Sequence, residues 1–199
     1  MAMDGCRTFV VCGNFRGGTT AVAQLLVRLG IPMGVNMDPN NNCEDLELQQ
    51  QLLRDTLDGP GFERLVAARD REHRVWGFKF PGAHRHMPVM LDSLRNPRVI
   101  FVFRDPYAVG ESEQRRTGQP LLQMMERTVR YNGSMARLLH SLTCPAHPVS
   151  FEHLLTRPEA VLDRLLAFLD RRPGWWERRR LVRSIRLQKD STSYGYGGK

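Results

Sequence analysis

The sequence predicts a single α/β domain with a mostly parallel central sheet flanked by helices and a phosphate-binding loop after the first strand. Three observations predict it. Residues 8–12 and 99–103 are nearly continuous apolar runs, as expected of strands covered on both faces. Segments with helical apolar spacing alternate with the strand-like runs, and that alternation argues parallel strands joined by right-handed crossovers. A glycine-rich stretch, Gly13-Asn-Phe-Arg-Gly-Gly-Thr-Thr20, links the first strand directly to the first helix. Its backbone N–H groups and the helix N-terminus together make an anion site.

The elements follow in order. A strand covers residues 8–12 and a helix residues 19–29. A loop rich in Asn and Pro spans 31–42. Helical patterns run over 44–57 and, more briefly, over 62–71. A strand at 75–79 precedes a helix near 87–94. The strand at 99–103 is followed by helices over 107–115 and about 120–142. A strand at 147–151 leads to a helix over 158–169. There Pro158 suits the first turn and Glu159 the positive helix end. Leu162, Leu165, Leu166 and Leu169 recur at i, i+3, i+4 and i+7 as a core stripe. Residues 1–190 are expected to form the domain, and residues 191–199 a Gly-rich, mobile tail.

Composition agrees with one globular core. The chain has 199 residues, 41% of them hydrophobic and 25% charged, ordinary values for a globular domain of this length. No run of 18 apolar residues suggests a membrane span. No signal-like apolar stretch precedes the first strand. The four cysteines form no CxxC pair or zinc pattern, so no metal is expected and reduced thiols in a cytoplasm are the simplest reading. The net charge of +8 is almost wholly arginine. Its densest block, residues 171–189, holds seven arginines and one lysine against Glu177, with Trp175 and Trp176 embedded. Nucleic acid, an anionic polymer or a membrane surface are conceivable partners. A solvated helix face with its Trp packed on the body is the favoured reading, and nucleic acid is not expected.

The chemistry concentrates in three segments. In nucleotide hydrolases a Lys follows the second loop glycine and reaches the β/γ-phosphates. Here that position is Thr19, and Arg16 is the cation within the loop. The strand at 99–103 ends in Arg104-Asp105-Pro106, with Ser112 eight residues after Arg104. Arginine offers a planar fork to phosphate oxygens and serine adds a hydroxyl. Both segments stand where strands end, the edge at which open α/β sheets bind ligands. Finally, Lys79, one of only three lysines, closes the strand Val75-Trp-Gly-Phe-Lys79 ahead of Pro81.

Together these segments resemble the P-loop-like sulfotransferase family, of a bacterial type, over about residues 8–170. The matching positions are Arg16, Gly18, Thr19 and Thr20 in the loop, Arg104 and Ser112 in the second signature, and Lys79 before Pro81. Phe15 and Gly17 depart from the Pro and Ser usual there. The resemblance implies a loop (Arg16, Gly17, Gly18, Thr19, Thr20) that holds the 5′-phosphosulfate of 3′-phosphoadenosine 5′-phosphosulfate. It implies that Arg104 and Ser112 grip the 3′-phosphate and that Lys79 meets the sulfuryl group. The product is then adenosine 3′,5′-bisphosphate, and the acceptor a hydroxyl or amine of a small molecule, glycan or other compound. Two bases stay open: Glu44, in a Cys-Glu-Asp segment, and His84, just past Lys79. Acceptor contacts are expected from residues 33–57 and 118–131. A kinase-like enzyme on a degenerate loop, or a non-catalytic polyanion-binding relative, are the alternatives.

Overall fold

The computed structural model describes residues 5–34 and 42–192. Its centre is four parallel strands: β1 (Arg7–Gly13), β2 (Val75–Lys79), β3 (Pro97–Phe103) and β4 (Ala146–Ser150), in the order β2-β1-β3-β4. Val10 stands opposite Phe78 on one side and Val99 on the other. β1 is central, and every residue of it after Arg7 is buried. Pro148, which has no N–H to give a ladder, lies on the edge strand β4, where proline is tolerated.

Side chains alternate across the sheet, so each strand feeds two cores. Phe9, Val11, Ile100 and Val102 face one core, shared with α1 (Thr19–Arg28), α7 (Phe151–Thr156), α8 (Pro158–Leu169) and α9 (Trp175–Thr192). Val10, Cys12, Phe78 and Phe101 face the other. The elements on that side include α2 (Leu46–Leu52), α3 (Gly59–Glu72), α4 (Met87–Met90) and α6 (Leu121–Ser141). Helix α5 (Pro106–Thr117) follows β3 and packs on α6. The chain leaves β1 for β2 on one side and β3 for β4 on the other. The crevice between the carboxyl ends of β1 and β3 is therefore the topological switch point.

The structure redraws several boundaries. The pattern at 44–57 yields only α2, because Asp45 caps it by accepting from the Glu47 and Leu48 amides. α3 starts earlier than residue 62, with Asp58 capping through Gly61 N–H. The helix near 87–94 is only α4, flanked by 3₁₀ turns at Pro81–His86 and Leu91–Ser93. Ser150 ends β4 and caps α7 through the His153 amide, so Phe151 opens a helix instead of closing a strand.

The basic block is helical from Trp175 onward, but its tryptophans do not pack on the body. The buried stripe of α9 is Leu181, Val182 and Ile185, whereas Trp175 and Trp176, more than a turn earlier, are 57% and 72% exposed. The expected tail falls mostly outside the described residues; Ser191 and Thr192 are the last residues of α9. Among the described residues, no helix is long and apolar enough to cross a membrane and no cluster of metal-ligating side chains occurs.

Candidate active site

A cavity of about 380 Å³ opens at the switch point, lined by the loop after β1, the ends of β2 and β3, the start of α7, and Asn42 and Glu44. The loop has an exacting backbone. Arg16 takes φ 59° and Gly18 φ 85°, the left-handed region that costs non-glycine residues energy. A side chain at Gly18 has no room: a Cβ there would lie 2.1 Å from the Phe151 ring. Gly17 donates its N–H to Asn14 O at 2.9 Å, and its missing Cβ would sit 2.6 Å from that oxygen. The serine usual in the resembling loops therefore does not fit this turn.

The loop delivers α1 as an anion site. Gly18 caps α1 with no side-chain hydrogen bond, and no acid stands in the first turn. Its N-terminal N–H groups and positive dipole end thus face the cavity beside Thr19 and Thr20. Arg16 donates from Nε to Ser112 Oγ at 3.0 Å. Arg104 donates to the Arg16 carbonyl at 2.7 Å and lies 4.9 Å above the Phe151 ring. This ties the carboxyl ends of β1, β3 and β4 together. Asn132 of α6 joins the network, giving to the Arg104 carbonyl and accepting from Asn14.

The electrostatics favour a bound anion. Burial, then the neighbouring Arg16 and Arg115 cations, holds Arg104 below its ordinary range, with Glu152 and Asp105 offsetting part of this. Cations crowded at one edge are relieved by negative charge placed among them. On the opposite side of the cavity, Lys79, 3% exposed, forms an ion pair with Glu44, 8% exposed. Glu44 also accepts from Gln49 of α2. Asp45, next in the chain, is gripped by the Arg69 guanidinium at 2.9 and 3.2 Å. The carboxylate is thus set by α2 and α3 together.

Of the residues singled out from sequence, Arg16, Gly18, Thr19, Thr20, Glu44, Lys79 and Arg104 line the cavity. Gly17 and Ser112 stand behind it, in the loop turn and under Arg16. His84 does not line it. Its ring packs edge-on against Tyr131, with centroids 5.0 Å apart. Sequence reasoning missed Phe151 and Gln24, while Asn42 falls within the acceptor segment expected at 33–57. Phe151 follows β4 directly as the first residue of α7, in a segment whose pattern reads as structural. Part of the acceptor segment expected at 33–57, residues 35–41, lies outside the described residues.

The sequence profile of the sulfotransferase family matches residues 32–177, nearly three quarters of the chain. The chain belongs to the sulfotransferase family. The match begins beyond the phosphate loop, so the loop's assignment rests on its own geometry. Curated proteins provide no match. Among solved structures, this sulfotransferase resembles the sulfotransferase domain of the Synechococcus PCC 7002 olefin synthase (TM-score 0.58, 20% identity, 98% of this chain and 78% of that one). It also resembles mouse sulfotransferase SULT7A1 complexed with PAP (TM-score 0.58, 15% identity, 98% and 69%). The sulfotransferase domain from the curacin biosynthetic pathway matches with TM-score 0.54 at 18% identity, over 89% and 77%. At these identities the likeness is one of fold.

His84 gives this sulfotransferase an acid limb in its stability. Burial, then the Arg85 cation, lowers its imidazole from 6.5 to about 4, against an opposing Pro81 carbonyl. A depressed folded pKa means the stabilisation is whole above 6.5 and is lost as pH falls towards 4. Urea midpoints of the wild type are expected to fall across that window. His84→Gln should flatten the fall, and an unchanged slope would remove His84 as its source.

Proposed function

We propose that the cavity binds 3′-phosphoadenosine 5′-phosphosulfate and that the chain moves its sulfuryl group to a hydroxyl or amine acceptor. One observation carries this: Arg16, Arg104, Lys79 and an uncapped helix N-terminus converge on one cavity, with Glu44 held against Lys79. The residues fit the donor's chemistry. The cradle at Gly18 leaves the backbone bare for close approach, the lining cations suit phosphate and sulfate oxygens, and the volume lies in the range of about 300–1,000 Å³ typical of small-molecule sites. When bound, the donor supplies an activated sulfuryl group and leaves as adenosine 3′,5′-bisphosphate.

The chain's own work is positioning, charge stabilisation and proton removal. The loop amides and α1 hold negative charge at the β1 end. Arg104, steadied by Phe151 and the Arg16 carbonyl, and Ser112 serve the second phosphate. Lys79 supplies positive charge from a dry wall, where it counts for more than in water. Glu44 takes the acceptor's proton; it shares the cavity with the donor groups, and His84 does not. Gln24 and Asn42 give the remaining wall polar character, suited to a hydroxylated small molecule or glycan and not to nucleic acid. The domain takes in α9 and so runs to Thr192 instead of ending at residue 190. A cytoplasmic setting agrees with four free cysteines.

Calorimetric titration with adenosine 3′,5′-bisphosphate, with ADP and ATP as controls, tests the reading. Binding is expected to select the 3′-phosphate, and Arg104→Ala to weaken it by at least about tenfold, the worth of a charged hydrogen bond of roughly 1.5–3 kcal/mol. Equal binding of ATP, or none of the bisphosphate, would overturn it.

A further inference from the structure

Two of the three tryptophans stand in water. Trp76 is 1% exposed, but Trp175 and Trp176 are 57% and 72% exposed at the start of α9. Their rings meet edge to face with centroids 4.3 Å apart. The Arg179 guanidinium lies 4.6 Å over Trp175. Arg28 and Arg180 border the same hollow, and Arg183 the hollow on the other side of the indoles. Val27, 47% exposed, precedes Arg28 in the chain. Nearby acids are largely spent: Arg178 holds Asp163 and Arg186 holds Glu159. Arg28, Arg179, Arg180 and Arg183 make no ion pair with the described residues, and Glu177 is the one exposed acid in the first turn of α9.

We propose that this face docks the protein on an anionic lipid bilayer surface. An indole pair is an apolar body with a polar N–H, the build that settles at the headgroup level of a bilayer. Arginines beside it meet the negative surface potential of anionic lipids. A nucleic acid fits less well. Sequence-tolerant strand binding needs free ring faces on which bases stack, and Trp175 is covered by Arg179 on a face and crowded by Trp176.

The placement leaves the cavity open. α1 begins at the phosphate loop and runs for ten residues to Arg28, a length of about 15 Å. The patch therefore sits at the amino ends of the strands, opposite the cavity, which faces away from a bilayer held there. The inference does not depend on the identity of the donor or acceptor.

Co-sedimentation with vesicles of phosphatidylcholine alone, and with one quarter phosphatidylglycerol, tests it on the full chain. Partitioning onto the anionic vesicles is expected to exceed that onto neutral ones by at least about tenfold and to fall steeply with salt. Tryptophan emission should shift to the blue, since Trp76 is already buried. W175A/W176A and, separately, R179Q/R180Q/R183Q should each cut partitioning by at least about tenfold, with adenosine 3′,5′-bisphosphate binding or the urea midpoint unchanged as the sign of an intact fold. Three results overturn the proposal: no partitioning, partitioning that W175A/W176A does not reduce, or tight binding of single-stranded DNA or heparin without vesicle binding.

Discussion

Replacing Lys79 by Met is expected to lower the single-turnover rate by about 100- to 1,000-fold, the range for losing one preorganised charge at a reacting centre. The ammonium is almost wholly buried and fixed at the last residue of β2. With so little of it exposed, water is a poor substitute for it. The change also leaves Glu44 without the counter-charge it pairs with. Glu44→Gln keeps the shape and removes the base, and should cost about 10²- to 10⁴-fold. Because the two groups touch, their losses should not add: the double variant should be little worse than the poorer single one. Adenosine 3′,5′-bisphosphate binding should survive Glu44→Gln, which separates a lost base from a lost site. An unchanged chemical rate in Glu44→Gln would dismiss it as the base and bring His84 forward.

The largest effect on stability is expected from Arg69→Met. Arg69 is 4% exposed, and its side chain meets Asp45, which has no exposed side-chain surface, and Glu47. Removing one partner of a buried pair typically costs about 3–5 kcal/mol, because the other charge is left without compensation. Here the stranded carboxylate also caps α2. Urea unfolding should show the loss directly. A loss below about 1 kcal/mol, the scale of an exposed pair, would show that water reaches Asp45 and that the triad does not hold α2. The catalytic rate should fall as well, since Arg69 fixes Asp45, the residue next to Glu44.

What the sequence disclosed is what local pattern encodes. Apolar runs announced β1 and β3, and the glycines announced the loop, because those signals are written in neighbouring residues. Arg104 and Lys79 were legible as strand-end cations. The gaps are of another kind. Phe151 was read as the end of a strand because a hydrophobic residue between Ser150 and Glu152 carries no sign that it will roof Gly18 and seat Arg104. The Arg69–Asp45 grip joins residues 24 apart, on segments whose packing no periodicity specifies. Glu44 and Lys79 were each noticed, but their union crosses 35 residues. The exposure of Trp175 and Trp176 went the other way: apolar bulk predicts burial, and only the placement of Leu181, Val182 and Ile185 shows which face of α9 the body takes.

The turn closed by Gly17 on Asn14 bears on how this loop could have diverged from its relatives. With 2.6 Å between a would-be Cβ and the Asn14 oxygen, a serine at 17 cannot simply be restored for its hydroxyl. The backbone from 14 to 17 must change with it, and Asn14 is also bonded to Asn132 on α6. Position 17, the turn and the distant asparagine therefore form one epistatic unit. A lineage crossing from one loop type to the other passes through an intermediate that fits neither, and single-site swaps between relatives will understate how exchangeable the complete loops are.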